Sequence, residues 1–195
     1  MHPAPAFRSD EDWLALAGTI GFAHIFLAGA EGLMVVHAPV TRHGDRLRFH
    51  VSRANRIAPH LPGAAALVSV QGVDGYVSPN WYAAPVDQVP TWNYVAVEID
   101  GIVAPLDEAE LLAQLDELAA VHEPRVNPAA PWTRDKTDPA RIVALLRGIV
   151  GFELTPTAIR GTRKLSQNKT TADRAGTVAG LDAAGNVALA AAMRS

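Results

Sequence analysis

The chain has 195 residues, 49% of them hydrophobic and 19% charged, with a formal net charge of −3. That apolar load supports a substantial core and argues against disorder, while the acidic balance excludes recognition of nucleic acid by bulk electrostatics. There is no cysteine, which excludes disulfides, thiolate catalysis, zinc–cysteine sites and cysteine-ligated iron–sulfur clusters together.

The N-terminal "MHPAPAFRSDEDW" lacks the charged-then-apolar pattern of a signal peptide, and no apolar run approaches the ~20 residues that span a bilayer. The expectation is a cytoplasmic protein with no membrane partner. In "SDEDWLALAGTIGF" Ser9 is the expected helix cap, with Asp12 three residues on, and Gly18 and Gly21 stop the run. Three short strands follow, "FAHIFLA", "LMVVHAPV" and "RLRFHVS", divided by turn residues that include Gly29, Gly32 and "RHGD". A short polar helix is expected after Asn55, then the strand "AALVSVQG".

A loop with three prolines and two tryptophans leads from "DGYVSPNWY" into a long strand in which Val95, Val97 and Ile99 alternate with Tyr94, Ala96 and Glu98. "LDEAELLAQLDELAAVHEP" is the clearest helix: Asp107 and Glu110 form a capping box, the leucines make a stripe, and Pro124 is expected to end it. Its carboxylates are expected on the exposed side. Asp138 and Pro139 open a further helix, a last strand is expected over residues 149 to 159, and the C-terminal segment from about residue 168 reads as helical. Strands in succession, interrupted by a few helices, predict an α+β fold built round a barrel or sandwich, as one domain over residues 1–195.

Two segments carry donors. On "RLRFHVSRANR" Arg48, His50 and Ser52 share one strand face, and Arg53 and Asn55 follow. That set is a candidate anion cradle, with helix amides adding to the field if Asn55 caps a helix; the alternative is an ordinary strand with its polar side in water. In "KLSQN", Lys164, Gln167 and Asn168 follow what reads as a turn at Gly161. They could serve a ligand or satisfy the turn's own backbone. Trp81, Tyr82 and Trp92 could stack on a planar ligand or bury at an interface. His24, His37 and His50 lie in separate strands without a metal-ligand pair motif, so no metal site is expected, while a haem ligand stays open on spacing. A helix-turn-helix reading of the tail lacks the cations a recognition helix needs.

"GYVSPNWY", "VPTWNY", "GIVGFEL" and "KLSQNKTTADRAGTVAGL" resemble, in order and spacing, the PaiB-type negative transcriptional regulators, from about Phe7 to the C-terminus. The resemblance implies an FMN-binding split β-barrel of the PNP-oxidase-like class with peripheral helices, a homodimer with flavin pockets where subunits meet, and a role as repressor, with DNA as a further partner. With flavin as the implied ligand, the donor segments read above become candidate sites. The flavin phosphate would take Arg48, His50, Ser52, Arg53 and Asn55; the isoalloxazine edge would take Lys164, Gln167 and Asn168 beside Trp92 and Asn93. A flavin-dependent oxidoreductase, or a scaffold that has lost its cofactor, are the alternatives. The sequence departs from the family pattern twice. The first glycine and the proline of "G-H-x-x-x-A-N-P" are missing from Phe49–Arg56, and Asp74-Gly75-Tyr76 stands for the usual "H-A-Y".

Overall fold

Helix α1 (Trp13–Ile20) begins after Asp12, whose carboxylate accepts a hydrogen bond from Ala15 N at 2.9 Å. The cap is therefore Asp12 and not Ser9, whose hydroxyl donates to the Glu11 carboxylate at 2.7 Å instead. Gly21 closes the helix at φ 77°, a left-handed conformation that favours glycine. This computed structural model describes residues 4–29 and 32–194. Met1–Pro3, part of the stretch read as lacking a signal pattern, lie outside the described residues, as do Ala30, Glu31 and Ser195.

Six strands follow: β1 (Phe22–Gly29), β2 (Gly32–His43), β3 (Arg46–Ser52), β4 (Ala65–Val77), β5 (Thr91–Pro105) and β6 (Ile149–Lys164). Their hydrogen-bonded order is β1-β2-β3-β6-β5-β4, and β4 returns to β1. The expected split barrel is corrected here. Among the described residues the ring is continuous and closed, with no split between neighbours. Closure depends on β1 using both edges, against β2 from Phe22↔Pro39 to Gly29↔Gly32 and against β4 from His24↔Ser69 to Phe26↔Leu67. Strand β6 also runs past its expected end at residue 159, so Gly161 is buried within the strand and marks no turn.

Two compact units are distinguishable, one comprising residues up to Glu11, Gln71–Val97 and Arg160 onward, the other Asp12–Val70 and Glu98–Ile159. Strands β4, β5 and β6 contribute residues to both. In the second unit, period-two alternation sends Leu47, Phe49, Phe152 and Leu154 into a core shared with Ile25, Val40, Val68 and Ile99, all fully buried. Phe49 and Phe152 are register partners and stack with ring centroids 5.5 Å apart.

The other face of β3 is not in water. Helix α2 (Glu108–Val126), with both halves of its Asp107–Glu110 capping box formed, lies beside β2 and β3. It brings a partly polar face to them. Gln114 is fully buried, and Glu117 accepts from Thr41 Oγ1 at 3.0 Å and meets His43 Nδ1 at 2.8 Å. The carboxylates expected on the exposed side of this helix are thus partly turned to the sheet. Pro124 does not end α2, which continues to Val126; near the C-terminus proline removes one backbone bond and the turn still closes, with Asn127 N donating to Glu123 O.

Arg48 and Glu153 are cross-strand partners on that same face of β3 and β6. Arg48 Nε donates to Glu153 Oε2 at 2.8 Å, and Arg46 Nη1 donates to Oε1 at 2.5 Å. Burial alone would raise the Glu153 pKa, but these two charge-assisted bonds outweigh it and hold the carboxyl below its usual range.

In the first unit, helices α4 (Thr171–Ala183) and α5 (Val187–Arg194) pack on each other. Thr170 caps α4, accepting from Asp173 N at 3.1 Å. Gly176 and Gly180, one turn apart, form a notch for Trp81. A Cβ at Gly176 would fall 2.0 Å from the Trp81 carbonyl oxygen, and one at Gly180 2.3 Å from its indole.

Replacing Glu153 with glutamine strands two guanidinium groups, and stability at pH 7 is expected to fall by about 3 kcal/mol. Because the folded-state pKa is depressed, the carboxylate's contribution is present above the unfolded value and lost as pH drops through the folded one. Urea unfolding of the parent and of Glu153→Gln should therefore give a gap at pH 7 that narrows by pH 3. Equal stabilities at pH 7 would contradict the assignment.

Candidate functional site

At the end of β3, in the second unit, α2 covers the donor face. Arg48 is engaged by Glu153, with Glu110 Oε1 a further 3.6 Å away. His50 Nδ1 lies 2.8 Å from Gln114 Oε1; burial lowers the imidazole pKa, and the Gln114 bond opposes that shift only in part. Ser52 Oγ accepts from Ala54 N at 3.3 Å and Asn55 Oδ1 from Ile57 N at 3.1 Å, so both side chains shape their own turn. The expected helix after Asn55 is a single 3₁₀ turn, Ala58–His60, and supplies no helix-end field there. Arg53 donates from Nε to Arg147 O at 3.2 Å and from Nη2 to Ile149 O at 2.9 Å. A phosphate at Arg48 would have to displace a buried carboxylate, so this guanidinium is a poor fit for that group. Arg53 and Ser52 stay exposed.

In the first unit, "KLSQN" starts inside a strand. Lys164 is the last residue of β6, and its Nζ donates to Thr91 Oγ1 at 2.6 Å, 5.9 Å from the centre of the Phe7 ring. Burial lowers its pKa. Ser166 is buried with φ 61°, and its hydroxyl accepts from Asn93 Nδ2 at 2.9 Å. Asn93 is fully buried and also reaches Met193 Sδ at 3.4 Å. Gln167 closes the turn round that strained residue: its Oε1 accepts from Leu165 N at 2.7 Å and its Nε2 donates to Arg163 O. Asn168 is exposed.

Trp92 and Asn93, adjacent on β5, point to opposite faces, one half-exposed and the other buried. They do not meet at one spot. Trp92 joins residues of β4 instead. Its Nε1 donates to Asp74 Oδ1 at 3.0 Å, Gln71 Nε2 donates to Oδ2 of the same carboxylate at 2.7 Å, and the Tyr76 ring lies 6.3 Å from the indole at 71°. Tyr76 and Trp92 are each 50% exposed, so a carboxylate-anchored aromatic platform faces solvent. Sequence reasoning missed Asp74 and Tyr76 because it ended β4 too early; the signal available was the alternation continuing through "QGVDGYV". The two departures in this stretch fit together. A Cβ at Gly75 would fall 2.5 Å from Asn186 Nδ2, and that amide donates to Asp74 O at 2.9 Å.

The exposed rings of Tyr76 and Trp92 offer a planar heteroaromatic ligand apolar surface of the right kind, and the Asp74 anchor fixes the direction of the indole. Among the described residues no cluster of three or more metal-ligating side chains exists. His24 and His37 pair across β1 and β2, edge to face with centroids 4.6 Å apart.

A family model described as "Putative FMN-binding domain" matches residues 1–158. The chain belongs to this PaiB-type FMN-binding domain family. It is 36% identical over 107 residues to "Protease synthase and sporulation protein PAI 2" of Bacillus subtilis, an alignment covering 55% of this chain and 50% of that protein. The match thus spans about half the length of that relative. It is 28% identical over 181 residues to "Uncharacterized protein AN0679" of Emericella nidulans, covering 76% and 72% of the two chains. Among solved structures, the FAD and heme binding protein from Mycobacterium smegmatis superposes with a TM-score of 0.58 at 21% identity over 80% of this chain and 72% of that one. The conserved hypothetical protein Rv2991 from Mycobacterium tuberculosis gives 0.60 at 11% identity over 86% and 92%. At these identities the family member shares a fold with both. Among its described residues no helix is long and apolar enough to cross a membrane.

Gln167 serves the backbone of its own turn. Gln167→Ala is expected to destabilise the protein by about 1–2 kcal/mol and to leave ligand affinity unchanged. Thermal unfolding alongside ligand titration checks this. An unchanged melt with lost binding would assign the amide to a ligand.

Proposed function

We propose that this chain is an FMN-binding protein of the PaiB type, homodimeric, acting as a negative regulator of transcription. The match of the FMN-binding domain family to residues 1–158 carries the reading. The name of the Bacillus relative, which refers to protease synthesis and sporulation, supports the regulatory part. Flavin, when bound, supplies one- and two-electron redox chemistry. The work of the protein here is to receive and orient the ring. Trp92 and Tyr76 present it with aromatic surface, and Asp74 prevents the indole from rotating away. With its acidic balance the chain makes few phosphate contacts, so regulation is not assigned to tight autonomous DNA binding.

The homodimer rests on a separate observation. The outward face of the β1–β2 hairpin carries Phe22, Phe26, Leu33 and Val35, each at least 40% exposed, with Phe26 and Val35 directly paired across the strands. An exposed face of this kind, apolar on both sides of the His24–His37 pair, favours burial against a second copy of itself.

Titration of the purified protein into FMN should quench flavin fluorescence and saturate, and Trp92→Ala should weaken binding about tenfold, the loss of ~1.4 kcal/mol of stacking. Absence of saturable quenching in the parent protein overturns the reading. Light scattering should give twice the 20.7 kDa chain mass, and a Phe26→Lys, Leu33→Glu double variant should be monomeric. A monomeric parent, or a double variant that stays dimeric, removes the hairpin face as the interface.

A further inference from the structure

A second concave site lies wholly within the second unit, away from β3 and on the far side of α2. The leucines of α2 diverge. Leu111 is buried and Leu112 faces a cavity of about 730 Å³ between α2, the segment 131–137 and α3 (Pro139–Leu146). Ala119, Ile142 and Leu146 complete its apolar wall, and Trp132, 39% exposed, stands at its edge. That volume is in the range of sites for small organic ligands.

The polar groups at this cavity are unbalanced. Asp116 and Arg134 form a two-pronged pair at 2.9 and 3.1 Å, which consumes the only guanidinium in the lining. Glu108 and Asp135 add two further carboxylates against one more cation nearby, Lys136, which lies in the field of Asp135 and whose Nζ donates to Pro131 O at 2.7 Å, so the carboxylates still outnumber the cations. The Thr133 hydroxyl holds Asp135 below the usual carboxylate range, so it is charged at neutral pH. An indole beside a surplus of carboxylates attracts positive charge twice over, through its ring face and through Coulomb attraction.

We infer that the α2–α3 cavity is a binding site for a lipophilic organic cation, a compact apolar molecule with a single positive centre. The site shares no residue with the Tyr76–Trp92 platform and is independent of the flavin reading. Its apolar wall takes the body of the ligand, and the positive centre rests at the rim between Trp132 and Asp135. An anion of the same shape meets the same wall and the wrong charge.

Tetraphenylphosphonium and tetraphenylborate are a matched pair of probes for this cavity, alike in size and opposite in sign. Equilibrium dialysis should show one saturable site for the cation, at least about tenfold tighter than for the anion. Val143, 48% exposed, also lines the cavity, so Val143→Arg should cut cation affinity about tenfold or more without moving the melting temperature. Asp135→Asn, at an exposed position, should weaken it about threefold with the melting temperature read alongside. Trp132→Phe should keep binding and lose the cation-dependent quenching of tryptophan emission. No saturable cation site, equal affinity for the two ions, or affinity unmoved in both Val143→Arg and Asp135→Asn would each overturn the assignment.

Discussion

One carboxylate organises the sheet's covered face. Glu153 sits opposite Arg48 in the β3–β6 register and takes a second guanidinium from Arg46. Buried charge of this kind is costly to leave unpaired and is tolerated only when its partners are fixed, so it specifies register more than it adds stability. A slip of β6 by one residue would turn Glu153 into the apolar core and Phe152 out into the polar layer under α2. The pair also explains why α2 can lie beside β3: Arg48 arrives neutralised, and Glu110 and Gln114 need only complete a polar layer. The price is that the same layer engages Arg48 with Glu153 and His50 with Gln114.

Much of the fold was legible because its signals were local. The capping box at Asp107 and Glu110, the alternation in β3 and β5, and the Thr170 cap all form within a few residues of where they were read. The strand faces were also right, with Leu47, Phe49 and Val51 inward and Arg48 on the opposite side. What lay on that opposite side was not legible. Nothing in "RLRFHVS" says that "GFELTP" pairs with it or that a helix covers it, since the first depends on residues 105 positions away and the second on residues 64 away. Local donor density therefore fits a ligand cradle and an ordinary polar face alike, and Arg48, His50 and Arg53 each bond to tertiary partners.

The C-terminal motif taught a related lesson. Gly161 reads as a turn because glycine is the commonest punctuation in sequence, yet a long strand can carry glycine where the backbone needs it. With the turn moved to Ser166, the donors of "KLSQN" divide by function. Ser166 locks to buried Asn93, Gln167 ties the backbone on both sides of a left-handed residue, and Lys164 is drawn in to Thr91. Asp74 and Gly75 are held by a partner distant in sequence. A departure from the family pattern is matched by Asn186, an amide in the turn between α4 and α5 that no short motif includes.

The notch in α4 bears on how the C-terminal helices acquire their structure. Two glycines in one short helix lower its intrinsic helicity by about 2 kcal/mol relative to alanine, and α4 is too short to be stable alone. Alanine would repair that weakness, but the space a methyl would need is filled by the Trp81 backbone and indole. Local helical stability and tertiary docking therefore compete at the same two positions, and docking has prevailed. Residues 171–183 are left dependent on the indole for their order, so α4 and the Pro79–Trp81 turn gain or lose structure as one cooperative block.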